Sequence, residues 1–250
     1  AVTALMITKG ANPYLTLPAA FAAGVAAGIC TGLIHVKCKV RDLLSGIIMM
    51  TALWTINLRV AGTANVPLFS QKTIFKNDTL DKLLPSGFSA YSTLLIILII
   101  ALIVKIILDL YLNTKSVYLL RAVGDNDKLV TAMAKDEGNV KILGLAIANG
   151  LCSLAGCIFC QEERVVEISS GTGAMVIGLA SVIIGTSIFK KISFVKTTTA
   201  VLIGSIIYKA CVAIAIKLGM PSSDLKLITA VLFLIILVLG MDRNKRKKVA

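Results

Sequence analysis

Aromatic residues make up only 6% of this 250-residue sequence, histidine occurs once, and 13 Asp and Glu stand against 26 Lys and Arg. No Gly-x-x-x-x-Gly-Lys-Ser/Thr segment occurs, so the chain has no loop to cradle nucleotide phosphates, and any ATP hydrolysis resides on another chain. The lone His35 is too isolated for a catalytic or metal constellation, and neither a metal nor a cofactor is expected. Of six cysteines, Cys157 and Cys160 have the x-x spacing of redox or metal pairs, but no second pair lies nearby. They read as small buried hydrophobes at the end of an apolar run, with an outward-facing disulfide as the alternative. A formal net charge of +13 would suit a nucleic-acid binder, yet the charges sit in short segments without interleaved aromatics, and no nucleic-acid partner is expected.

Long apolar runs dominate what is present. Hydrophobic residues make up 57% of the chain and the mean hydropathy is +0.89, well outside the range of a soluble domain. Runs of about 20 apolar residues, the length a helix needs to cross roughly 30 Å of hydrocarbon, recur along the chain. They predict spans at 14–34, 43–61, 92–112, 142–160, 174–189, 197–217 and 224–240. Barrel strands would alternate, and runs such as Leu94 to Val104 do not. The expected fold is therefore all-α, a single polytopic transmembrane bundle over 1–250 with about seven complete spans and membrane lipid as its surroundings. The opening Ala1-Val-Thr-Ala-Leu-Met-Ile-Thr8 is apolar but too short to span and lacks a charged leader, so it reads as the end of a truncated first helix.

Short cytoplasmic loops carry the excess of Lys and Arg, which fixes the expected orientation. Lys37, Lys39 and Arg41 fill one connection; Lys115, Arg121, Lys128, Lys135 and Lys141 occupy the next basic one. Lys190, Lys191 and Lys196 follow, then the 241–250 tail with Arg243, Lys245, Arg246, Lys247 and Lys248. These share the cytoplasmic side, and 62–91, 161–173 and 218–223 face outward. Glu162, Glu163, Arg164 and Glu167 form an outward cluster that is either a solvated loop or a charged receiver for another protein. The outward 62–91 segment, with Lys72, Lys76 and Lys82, is open to the same two readings.

Gly24, Gly28 and Gly32 are spaced by four and share one helix face, which lets another backbone approach closely; helix packing is the main reading and a groove for solute the alternative. Intramembrane polar residues are the default functional candidates. Lys105 has Asp109 one turn on, which accounts for it as a local pair. Lys209 has no such neighbour and divides between interhelical glue and a lining role. Trp54, Asn57 and Arg59 share the second span; they suit a zwitterionic or aromatic solute, or an interface anchor with ordinary Trp packing. Between the third and fourth spans, 114–140 mixes both charge signs, and Gly124 followed by Asp125 and Asn126 supplies turn chemistry. A loop that only sets topology needs no such mixture; a loop docking onto a partner does.

Arg121-Ala-Val-Gly-Asp-Asn126, Thr131-Ala-Met-Ala134, Ile142-Leu-Gly-Leu-Ala-Ile-Ala-Asn149 and Ser153-Leu-Ala-Gly156 together resemble the coupling segment of ABC permeases of the branched-chain amino acid and ribose type. Thr31 to Val40 with Leu44 to Arg59, Gly171 to Gly185, and Gly204-Ser-Ile-Ile-Tyr-Lys209 with Asp224 to Ala230 are similar to the tryptophan and tyrosine importer subgroup. The resemblance covers nearly the whole chain. It departs at Ala134-Lys135, where the family commonly has Gly-Ile, and at Thr186, where it commonly has an acidic residue.

The resemblance implies a permease subunit of an ATP-driven importer in a bacterial plasma membrane, carrying an amino acid or related solute. It implies a cytoplasmic ABC ATPase docking on Arg121, Ala122, Gly124, Asp125 and Asn126, an extracytoplasmic substrate-binding protein or lipoprotein, and a second permease chain in a homodimer. Trp54, Asn57, Arg59 and Lys209 are the candidate lining of the path. The alternatives are a secondary transporter or channel working without an ATPase, and a membrane scaffold without transport.

Overall fold

A computed structural model describes residues 1–75, 92–125, 137–189 and 196–217. The expected span at 224–240, the basic tail, Asn126, Lys128, Lys135, Lys190, Lys191 and the remainder of 62–91 and 114–140 lie outside the described residues. Two compact units divide the chain, Ala1–Ile168 and the part from Ser169 onward.

The first unit begins with α1 (Val2–Thr8) and a 3-10 turn at Pro13–Leu15, opened by Asn12, whose side chain accepts the Tyr14 N–H. Helix α2 (Thr16–Lys37) follows, then α3 (Asp42–Ala61). The link between them turns sharply through Lys39, at φ 53°, with His35 Nδ1 2.8 Å from the Val40 carbonyl. This bracing gives the lone histidine a structural task. Gly62 ends α3 in the left-handed conformation, φ 80°, and donates its N–H to Leu58 O; a Cβ would strain that backbone.

Strand β1 (Asn65–Pro67) precedes α4 (Ser92–Leu112), α5 (Lys115–Asp125) and α6 (Glu137–Glu163). Strand β2 (Val165–Glu167) then pairs antiparallel with β1. Helices cover the expected runs at 14–34, 43–61, 92–112, 142–160, 174–189 and 197–217, but α6 begins before and ends after the 142–160 run. Its first turn, with Lys141 Nζ 3.9 Å from the Glu137 carboxylate, and its last, from Gln161 to Glu163, are too polar to register as a membrane span yet continue the helix.

Five described helices are long and apolar enough to cross a membrane: the Pro13–Lys37 stretch, α3, α4, α6 and, in the second unit, α8 (Thr197–Lys217). Helix α7 (Ser170–Phe189) contributes a shorter apolar stretch, Ile177–Phe189.

Within the first unit α2 and α6 run antiparallel in close contact. A Cβ on Gly32 would sit 2.9 Å from Ile142 Cα, one on Gly28 2.6 Å from Ala146 Cα, and one on Gly24 2.9 Å from Gly150 Cα. Glycine is required at these points because the facing backbone already occupies the space a side chain would take. Hydrogen bonding extends the seam, with Ser153 Oγ donating to Ala20 O at 2.7 Å. The basic residues Lys37, Lys39, Arg41, Lys115 and Lys141 gather at one end of this unit, and Glu162 and Glu163 lie at the other. At this second end, where Lys9, Arg59 and Arg164 also lie, Ala4, Ile7, Leu68 and Cys160 form a small core covered by Val66 and Val166.

The second unit uses the same device. A Cβ on Gly185 would overlap the Ala200 carbonyl, and one on Gly204 would overlap the Ser181 carbonyl, so α7 and α8 touch backbone to backbone. Ala180, Ile184 and Tyr208 form the core beside this contact.

Candidate functional site

The mixed-charge segment between the third and fourth spans is a helix where it is described. Tyr118 N–H reaches back to Thr114 O, and the helix runs through Gly124 and Asp125, so Gly124 is helical and makes no turn. The exposed glycine is tolerated there because its place in the last turn needs no packing side chain; a Cβ on it would meet nothing within 4 Å.

Spacing divides the helix into two stripes. Val117 and Val123 are buried, and Leu120, midway between them, leans on α6 at Gly144. Tyr118, Arg121 and Gly124 form the neighbouring stripe and are exposed, Tyr118 by 59%. Ala122 is half-buried. The stripe therefore offers an unburied guanidinium and an aromatic ring on a helix whose neighbouring stripe is seated. It has donors and surface for a protein partner and no reacting constellation. Among the described residues no three His, Cys, Asp or Glu side chains gather as a metal site.

Gly24, Gly28 and Gly32 all face α6 within the chain, and this contact occupies the groove their spacing suggested as a solute path. Trp54 and Asn57 lie one turn apart on α3, Trp54 half exposed and Asn57 partly buried. Arg59 is exposed in the last turn, where its charge complements the helix dipole. Lys209, in the second unit, is exposed beside the buried Tyr208. Lys105 Nζ lies 3.3 Å from Asp109 Oδ2, the local pair their spacing suggests.

Gln161 was not legible as a structural centre. It is fully buried; its Oε1 accepts the Ile74 N–H at 3.0 Å, and its Nε2 donates to Thr16 Oγ1 at 2.8 Å. Thr16 in turn donates to Pro13 O and lies 3.4 Å from Cys157 Sγ. This network ties the segment after β1 to the ends of α2 and α6. The only sequence signal was a neutral amide standing between Cys160 and two glutamates. Cys157 and Cys160 are both buried free thiols.

Comparison with known proteins agrees with the helical architecture. A protein from Clostridioides difficile (strain R20291), named tyrosine transport system permease protein, is 40% identical over 247 residues, covering 99% of this chain and 80% of its own length. An uncharacterized protein from Rickettsia prowazekii (strain Madrid E), RP368, is 28% identical over 213 residues, covering 84% of this chain and 71% of its own length. No solved structure matches. Residues 1–239 match the family described as the permease component of branched-chain amino acid transport systems. The chain belongs to that family, and it is a membrane-embedded permease component of an ABC importer rather than a catalytic subunit.

Proposed function

We propose that the chain forms the translocation path of an importer for an aromatic amino acid of the tyrosine class in a bacterial plasma membrane. A separate ATPase docks on the Tyr118, Arg121 and Gly124 stripe of α5. The observation that carries the docking is this exposed stripe on a helix whose neighbouring stripe is seated on α6 through Leu120, at the end of the unit where the basic residues gather. By the positive-inside rule that end is cytoplasmic, the compartment in which ATP is available. The substrate class is supported by the near full-length likeness to a protein named for tyrosine transport.

Asp125 and Asn126 extend the docking segment. A second copy of the chain completes the path, to which Trp54, Asn57, Arg59 and Lys209 contribute. An external binding protein delivers solute to the end away from the ATPase, where the β1–β2 pair and the Gln161 network hold Glu162, Glu163 and Glu167 on a common support. Closure of the ATPase moves α5, and the helices rock so that the path opens to one side and then the other.

Uptake of labelled L-tyrosine into proteoliposomes tests this. The permease reconstituted with its host's ATPase and binding protein accumulates tyrosine only when ATP is supplied on the ATPase side. Uptake by the permease alone, driven by an ion gradient, would instead establish a secondary transporter.

A further inference from the structure

A coupling helix transmits motion only if its seat on the membrane helices has no slack. Leu120 meets Gly144 at that seat. A Cβ on Gly144 would lie 2.6 Å from Leu120 Cδ2, so the end of the leucine side chain occupies the space beside the glycine and would have to shift if a larger residue stood there. Val117 and Val123 are buried a turn to either side of it, on the same stripe of α5.

What lies behind the glycine matters as much. Gly144 stands between Ile142 and Ala146, both of which meet α2 at Gly32 and Gly28. Two residues turn a helix by about 200°, so Gly144 points almost directly away from that seam. Helix α6 thus meets a leucine at a glycine on one side and a backbone-to-backbone glycine seam on the other. Packed interfaces of this kind shift between discrete arrangements more readily than they deform.

We infer that the Leu120–Gly144 contact is the joint through which displacement of α5 moves α6 and α2 as one body. The inference rests on the reading of α5 as the ATPase dock. Leu120 is a positioning residue: it lies on the seated face and leaves the Arg121 stripe untouched.

The test uses the permease reconstituted with its host ATPase and binding protein, with ATP hydrolysis and L-tyrosine uptake measured on the same vesicles. Leu120→Ala empties the space beside Gly144; it is expected to retain the ATPase and its hydrolysis while tyrosine moved per ATP falls about fivefold or more, the range of ordinary site-to-site coupling. Gly144→Leu alone crowds that space and is expected to uncouple likewise. Leu120→Ala combined with Gly144→Leu moves the knob to the other helix and is expected to bring transport per ATP back to within about twofold of wild type.

An unchanged transport-to-hydrolysis ratio in Leu120→Ala overturns the joint. So does a parallel loss of both activities that tracks the amount of folded complex, because that is what a merely structural contact would give. Failure of the wild type to retain any ATPase overturns the docking reading itself, and the joint with it; that outcome is visible before any variant is made.

Discussion

Helices α4 and α6 are both long enough to cross a bilayer, yet only α6 buries residues, and those are not its large aliphatic ones. Helix α4 contains no fully buried residue and turns Leu98, Ile99, Leu102, Ile103, Ile106 and Ile107 outward. The residues α6 buries are Gly138, Ala146, Gly150, Cys157, Cys160 and Gln161. In water the large aliphatic side chains would be inside. Hydrocarbon removes that preference, because lipid tails solvate leucine as well as another helix does, and close packing and hydrogen bonds decide what is buried. Small and polar residues at repeated spacing are therefore the informative ones in this chain.

The strongest way to break the comparison is to place bulk in the seam. Gly28→Leu is expected to destabilise the detergent-solubilised protein by about 3 kcal/mol, since the new side chain meets the Leu145 and Ala146 backbone and neither can retreat. Thermal unfolding measures it; a loss similar to that of an exposed substitution would mean α2 and α6 are not in contact.

Gln161→Leu comes next, at about 2 kcal/mol, because the buried Ile74 N–H loses its acceptor and Thr16 loses a donor. Hydrogen exchange should accelerate at Ile74 before the rest of the unit, and uniform exchange would assign the network no local role.

A smaller effect is expected on α4. Lys105→Leu, which strips Asp109 of the ammonium one turn away, should cost about 1 kcal/mol, whereas Lys105→Leu with Asp109→Leu should be close to neutral. Equal losses in the single and double variants would assign the pair a role beyond mutual compensation.

The smallest change sharpens the contrast among glycines. A Cβ on Gly46, in α3, would meet nothing within 4 Å, so Gly46→Ala should stabilise by about 0.5 kcal/mol through helix propensity alone. Destabilisation there would point to a neighbour the isolated chain does not supply.

Much of this was legible before any coordinates. Continuous runs such as Leu94 to Val104 locate helices because only unbroken apolar length satisfies the bilayer, and the Gly24, Gly28, Gly32 spacing marks a packed face. The partner of that face was not legible, since Ala146 and Gly150 are more than 100 residues away and carry no mark of their own. The helix at Lys115–Asp125 was hidden because Gly124-Asp-Asn126 has the local chemistry of a turn, while the stripe that is seated, Val117, Leu120 and Val123, includes a contact with Gly144 that is distant in sequence. The β1–β2 pair was hidden for a similar reason: three residues on each side, Asn65–Pro67 and Val165–Glu167, are too few to show alternation.

The most direct test of the account is retention of an ATPase. The permease purified in mild detergent from its own host is predicted to carry a nucleotide-hydrolysing subunit, and Arg121→Glu with Gly124→Pro, which reverses the exposed charge and breaks the last turn of α5, is predicted to lose it while remaining folded. A variant that retains the subunit as well as the wild type does, or a wild type that retains none, would contradict the assignment of α5 as the coupling surface.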